Sequence, residues 1–122
     1  MAQNGAVATR DVAHAYLDAW TAGDLDGVRG LLAADVTVEC NLTGSGDGAH
    51  LVEALGRLAA AVDAVTVVSE NYADGRAMLL YDCAVGSGAI RTVEYLTVVD
   101  GRIADVRRVC DIVAARRLLG PV

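Results

Sequence analysis

The 122-residue sequence predicts an α+β fold in which helices cover one face of a curved antiparallel sheet. Two observations lead there. Helical apolar spacing is confined to the chain before Ala64, and β-rich runs fill the chain from Ala64 onward. Those runs are separated by "ADG", "GSG" and "DG", hairpin turn signals that make consecutive strands antiparallel neighbours. The length suits one domain over residues 1–122, large enough for a single core and too short for two.

In chain order, Thr9 can cap a first helix in which Val12, Tyr16, Leu17 and Trp20 recur at helical spacing, and Gly23 ends it. Asp24 then caps a short second helix with Leu25, Val28, Leu31 and Leu32 along one side. A strand over Val36 to Cys40 follows. After the turn "NLTGSGDG", Leu51, Val52, Leu55, Leu58, Ala59 and Val62 give a third helix the clearest periodicity in the chain. The runs "AVTVVSENY", "RAMLLYDCAV", "AIRTVEYLTVV" and "RIADVRRVC" complete a strand meander.

Composition removes several functional classes. The formal net charge is −6 with arginines scattered among acids, so a nucleic-acid backbone would be repelled. No apolar run is long enough to cross a bilayer, and the opening residues lack a charged and then apolar leader, which points to a soluble, cytoplasmic protein. Cys40, Cys83 and Cys110 contain no C-x-x-C pair, and His14 and His50 fit no metal spacing, so neither a disulfide framework, a metal nor another cofactor is expected. Gly44, Gly46 and Ala49 imitate a dinucleotide-binding G-x-G-x-x-A. Three residues separate them from the strand, however, and no further βαβ units follow. "GSGDG" is read instead as a flexible connection.

Sorting strand residues by face raises the functional question. The last strand offers Ala104, Val106, Arg108 and Cys110 as its inner set, bringing an arginine inward. In the strand before it, periodicity does not choose between Arg91, Val93, Tyr95, Thr97 and Ile90, Thr92, Glu94, Leu96, Val98. In "RAMLLYDCAV", Met78, Leu80, Asp82 and Ala84 compete with the wholly apolar Ala77, Leu79, Tyr81 and Cys83; one face should meet helices and the other a partner subunit. The first strand places Val36, Val38 and Cys40 together, so an apolar face ends in a thiol.

The run "HAYLDAWTAGDLDGVRGLLAADVTVECN" and the late "VVDGRI" hairpin resemble the nuclear transport factor 2-like superfamily, over about Ala8 to Ile112. Its members include ketosteroid isomerases, SnoaL-like polyketide cyclases, limonene epoxide hydrolase and scytalone dehydratase. The resemblance implies a cystatin-like roll, a cone in which three N-terminal helices close the concave face of a bent sheet. It also implies an apolar cavity for a small apolar or aromatic metabolite, and a homodimer through the convex sheet face.

By likeness to ketosteroid isomerase, Tyr16, Trp20, Val38, Cys40, Met78, Leu80, Asp82, Arg91, Tyr95, Val106, Arg108 and Cys110 would face that cavity. Tyr16 falls at the oxyanion-binding tyrosine, Cys40 at the general base and Tyr95 at the second acid. Likeness to limonene epoxide hydrolase leaves Asp82 as a partial echo, beside Arg108 or Arg91. The implied function is a small-molecule isomerase, cyclase or hydrolase of secondary metabolism. Asp82, Tyr16 and Tyr95 would act catalytically, and Arg91 and Arg108 would hold an anionic group. A catalytically silent binding protein, favoured by the replaced base, and an assembly module using Leu79, Tyr81 and Cys83 are the alternatives.

Overall fold

A computed structural model describes residues 2–120. Helix α1 spans Ala2–Thr21, so Thr9 lies inside it and is not its cap. The Thr9 hydroxyl instead donates to the Gly5 carbonyl at 2.8 Å and accepts from the Gly75 backbone N–H at 2.9 Å, tying a sheet turn to the helix. Gly23, at φ +75°, turns the chain after α1. Asp24 then caps α2 (Leu25–Leu31) by accepting from the Gly27 N–H at 2.9 Å.

Strand β1 (Leu32–Cys40) starts four residues before the expected Val36, so Leu32 belongs to the sheet rather than to α2. The "GSGDG" stretch is not merely flexible. Gly44–Gly46 form a short strand, β2, antiparallel to β1, and Asp47 caps α3 (Gly48–Ala61) through the His50 N–H at 3.0 Å. The meander follows as β3 (Ala64–Ala73), β4 (Arg76–Val85), β5 (Gly88–Val99) and β6 (Arg102–Cys110). Asp100 and Gly101 both have positive φ, as the tight turn between β5 and β6 demands.

The order is β2-β1-β6-β5-β4-β3, antiparallel except for the parallel β1–β6 pair. Register shifts in β1–β6, β3–β4 and β5–β6 bend this unclosed sheet. At the last of them Ala104 is skipped, so both Ile103 and Val106 face inward and are fully buried.

On the concave face α1 packs against β3, β4 and β5, α3 packs against β1 and β2, and α2 packs against both helices; Ala77, Leu79, Tyr81 and Cys83 of β4, all at most 1% exposed, belong to the same core. Removing each large apolar side chain from water contributes about 1.5–3 kcal/mol, whereas the alternative phase would have buried Asp82. The apolar set therefore wins the inner face.

A fourth helix, α4 (Ile112–Leu119), was not anticipated. Asp111 caps it through the Ala114 N–H at 3.1 Å, Arg116 and Arg117 occupy its last turn, and Gly120 at φ +83° stops it.

On the outside, His14 Nε2 lies 2.7 Å from Glu70 Oε1, which also accepts from the Tyr72 hydroxyl at 2.9 Å. The His14 and Tyr72 hydrogen bonds hold the Glu70 carboxyl below its ordinary value. Its folded-state value being depressed, the contribution is present above the unfolded glutamate range and lost as pH falls. Glu70→Gln is thus expected to cost less than about 1 kcal/mol at neutral pH, because the pair is exposed. Urea midpoints of variant and parent should converge once the carboxyl is protonated.

Candidate functional site

The concave face holds one buried ionic cluster. Glu94 on β5 is fully buried and pairs directly across the ladder with Arg108 on β6, which is 8% exposed. Arg108 Nε lies 3.3 Å from Glu94 Oε2. The Tyr16 hydroxyl from α1 donates to the same oxygen at 2.6 Å, and the Tyr81 hydroxyl from β4 donates to Oε1. Arg108 Nη2 donates to the Tyr81 oxygen at 3.4 Å.

Burial, then the Glu94 charge, pushes both tyrosines well above the ordinary phenol value, so they remain donors. Burial alone would lower Arg108, but Glu94 and the two tyrosine oxygens outweigh it and raise the guanidinium further. The cluster is charge-balanced and closed. Trp20 packs against Tyr81 with ring centroids 6.1 Å apart and planes tilted by 45°, its own indole N–H buried and without a hydrogen-bond partner.

These side chains fill the deep end of the cone. Above them a hollow of about 180 Å³ remains, between α3, α4 and the ends of β1, β5 and β6. Leu42, Leu58, Ile90 and Leu119 make its apolar wall, and Arg108 and Thr92 make its polar floor. The lining carries no carboxylate; its charged members are Arg108 and, from α3, Arg57.

Cys40 and Cys110 both line the hollow. Asn41 fixes them, its amide donating to the Cys110 carbonyl at 2.9 Å and accepting from the Cys110 N–H at 3.0 Å. The thiols differ. Burial raises Cys40, but the Thr43 side chain, the Thr43 and Leu42 backbones and Arg108 together bring it below the ordinary cysteine value. Cys110 is raised by burial and by Cys40, and Cys83, facing the core, is pushed up to about 12 by burial. Among the described residues no group of three or more His, Cys, Asp or Glu side chains converges on a metal position.

Of the residues singled out from sequence, Cys40, Arg108 and Cys110 line the hollow, while Tyr16, Trp20 and Val38 lie in the packed core beneath it. Asp82, Arg91, Tyr95, Met78 and Leu80 do not face the cavity. The burial of Leu79, Tyr81 and Cys83 sets the phase of β4, and pairing carries it to β5, so these five sit on the opposite, convex face.

There Arg91 grips Asp82 through two hydrogen bonds of 2.8 and 2.9 Å, away from Arg108. Arg76 donates to the Tyr95 hydroxyl at 2.8 Å. The inward acid of β5 is Glu94, one residue before Tyr95. It was within sight as a member of the alternative set, and its signal was an arginine at an inward position of the next strand. Leu79, Tyr81 and Cys83, read as a possible assembly surface, are core.

No family model matches the sequence, and no curated protein matches it either. Solved structures do. A protein from Kribbella flavida is 26% identical, with a TM-score of 0.81 over 88% of this chain and 90% of its own. A steroid delta-isomerase from Pseudomonas aeruginosa is 14% identical, with a TM-score of 0.74 over 93% and 86%. A nuclear transport factor 2-like protein of unknown function from Cytophaga hutchinsonii is 15% identical, with a TM-score of 0.71 over 90% and 93%. The protein has the nuclear transport factor 2-like fold, a class that includes ketosteroid isomerase-like proteins. Among the described residues no helix is long and apolar enough to cross a membrane.

Proposed function

We propose that the domain binds a small, single-ring molecule carrying a carbonyl oxygen, with the ring against Leu58 and Ile90 and the oxygen at Arg108. The hollow carries this reading. An apolar cavity of about 150 Å³ accepts benzene, so a space of about 180 Å³ suits one ring and not the fused rings of a steroid. Glu94 already balances Arg108, so a neutral acceptor needs no counter-charge.

Turnover of the isomerase, cyclase or hydrolase kind is a second reading, supported by the fold likeness to a steroid delta-isomerase and by the Tyr16–Glu94 contact. Binding ranks above it because both oxygens of Glu94 already accept hydrogen bonds, leaving no free inward base. Three free thiols favour a cytoplasmic setting, and a ring ligand of this size fits secondary metabolism. Titrating cyclohexanone into nitrogen-labelled protein should move the amides of Cys40, Ile90 and Thr92, saturating at millimolar order for so few atoms. Asp82→Asn should leave that titration unchanged. Shifts scattered over the surface would refute the pocket.

A homodimer through the convex face is part of the same reading. Leu80, Val93 and Val109 run in register across three strands, with Met78 and Tyr95 in the next row. Met78 is 43% and Val109 57% exposed, an apolar strip bordered by the Asp82–Arg91 pair. Sedimentation should give a dimer for the parent protein and a monomer for Val109→Asp, with cyclohexanone binding retained. A parent protein that sediments as a monomer would rule the dimer out.

A further inference from the structure

We propose that this pocket captures electrophilic rings covalently: the Cys40 thiol adds to the β-carbon of a cyclic α,β-unsaturated ketone whose carbonyl oxygen is held by Arg108. The proposal rests on the ring-binding reading above and assigns it a reactive ligand class.

Position comes first. Cys40 closes β1 directly opposite Arg108 in the parallel ladder, and both line the same hollow. Arg108 is 8% exposed, and its Nε, although 3.3 Å from Glu94, makes no hydrogen bond. That Nε faces Glu94, but the guanidinium as a whole also forms part of the cavity wall, and its positive charge favours an acceptor oxygen in the hollow. A ring carbonyl supplies one, and conjugation makes the β-carbon, two bonds from the carbonyl carbon, electrophilic.

The environment then favours the thiol as attacking group. Donors from the Thr43 turn and the Arg108 charge face Cys40. The other ionisable groups around the hollow are Cys110 on β6 and Arg57 on α3, neither of them an acid. Cys110 shares the hollow and the Arg108 charge but lacks the donors of the Thr43 turn, and burial and Cys40 raise its thiol, so it is the internal control.

The step is balanced. A sulfur–carbon bond forms, the C=C π pair moves onto the carbonyl oxygen as an enolate beside Arg108, and the proton released by the thiol ends on the α-carbon. Nothing leaves, and no oxidant or reductant is required.

Cyclohexenone is the probe. Intact-protein mass should rise by one whole probe molecule, with peptide mapping placing it on Cys40 roughly tenfold faster than on Cys110. Cys110→Ser should label like the parent, Cys40→Ser should lose the adduct, and excess cyclohexanone should slow labelling by occupying the hollow. Thr43→Val, at a partly exposed turn position in the wall of the hollow, should move the half-rate of labelling to higher pH. Equal labelling of Cys40 and Cys110, or no adduct although cyclohexanone binds, would overturn the covalent inference and leave the pocket standing. Absence of both adduct and cyclohexanone binding would overturn the two together.

Discussion

Glu94→Ala is expected to lower the melting temperature by about 10–20 °C, the largest effect of any single substitution considered. Glu94 is fully buried and is the common acceptor for Tyr16 and Tyr81 as well as the counter-charge of Arg108. Its removal leaves a buried guanidinium uncompensated and two buried hydroxyls without an acceptor. Breaking a buried pair from one side costs about 3–5 kcal/mol, most of it the desolvation of the group left behind.

The same reasoning predicts an asymmetry. Glu94→Leu combined with Arg108→Met removes both charges, and its melting temperature should recover most of the loss, because an apolar pair has no desolvation cost to offset. Calorimetric melting of the two single variants and the double variant checks this. A double variant as unstable as the sum of the singles would mean that the two charges are not energetically coupled, and would contradict mutual compensation.

Ala54→Phe is expected to abolish cyclohexanone binding, weakening it beyond about tenfold, without loss of stability. Ala54 lies on α3, partly exposed, with its methyl facing the hollow. A phenyl ring there enters the space the ligand ring would occupy, and filling a hollow commonly adds about 0.5–2 kcal/mol of stability. Loss of binding with an unchanged or raised melting temperature separates a blocked pocket from a damaged fold. Retained binding in Ala54→Phe would place the ligand elsewhere.

Much of this was legible in the residues. The helical stripes of α1 and α3, the cap Asp24, and the hairpin signals came from local chemistry and survive in the structure. Cys40 and Arg108 were placed inward by simple alternation from strands with one clearly apolar set. In β5 alternation could not decide, because one set carried Arg91 and Tyr95 and the other Glu94.

What resolves β5 is non-local. Glu94 stands opposite Arg108 and beneath a tyrosine 78 positions away in sequence, a contact that no period-two pattern contains. Likeness to ketosteroid isomerase chose the opposite phase and moved Asp82, Arg91 and Tyr95 inside. The wholly apolar run Ala77, Leu79, Tyr81, Cys83 carried the better physical argument. Helix α4, which supplies a wall of the hollow, was missed, although Asp111 at its start and Gly120 at its end are helix boundary signals.

A crystal soaked with a bromophenol gives the most direct measurement, since the ring is of the right size, its oxygen can accept from Arg108 as a carbonyl would, and bromine is located by anomalous scattering. The bromine peak should lie between α3 and α4, near Leu58 and Leu119, with the oxygen turned toward Arg108. A peak on the convex face beside Tyr95 and Arg91, with the space above Glu94 closed by its own side chains, would contradict the account.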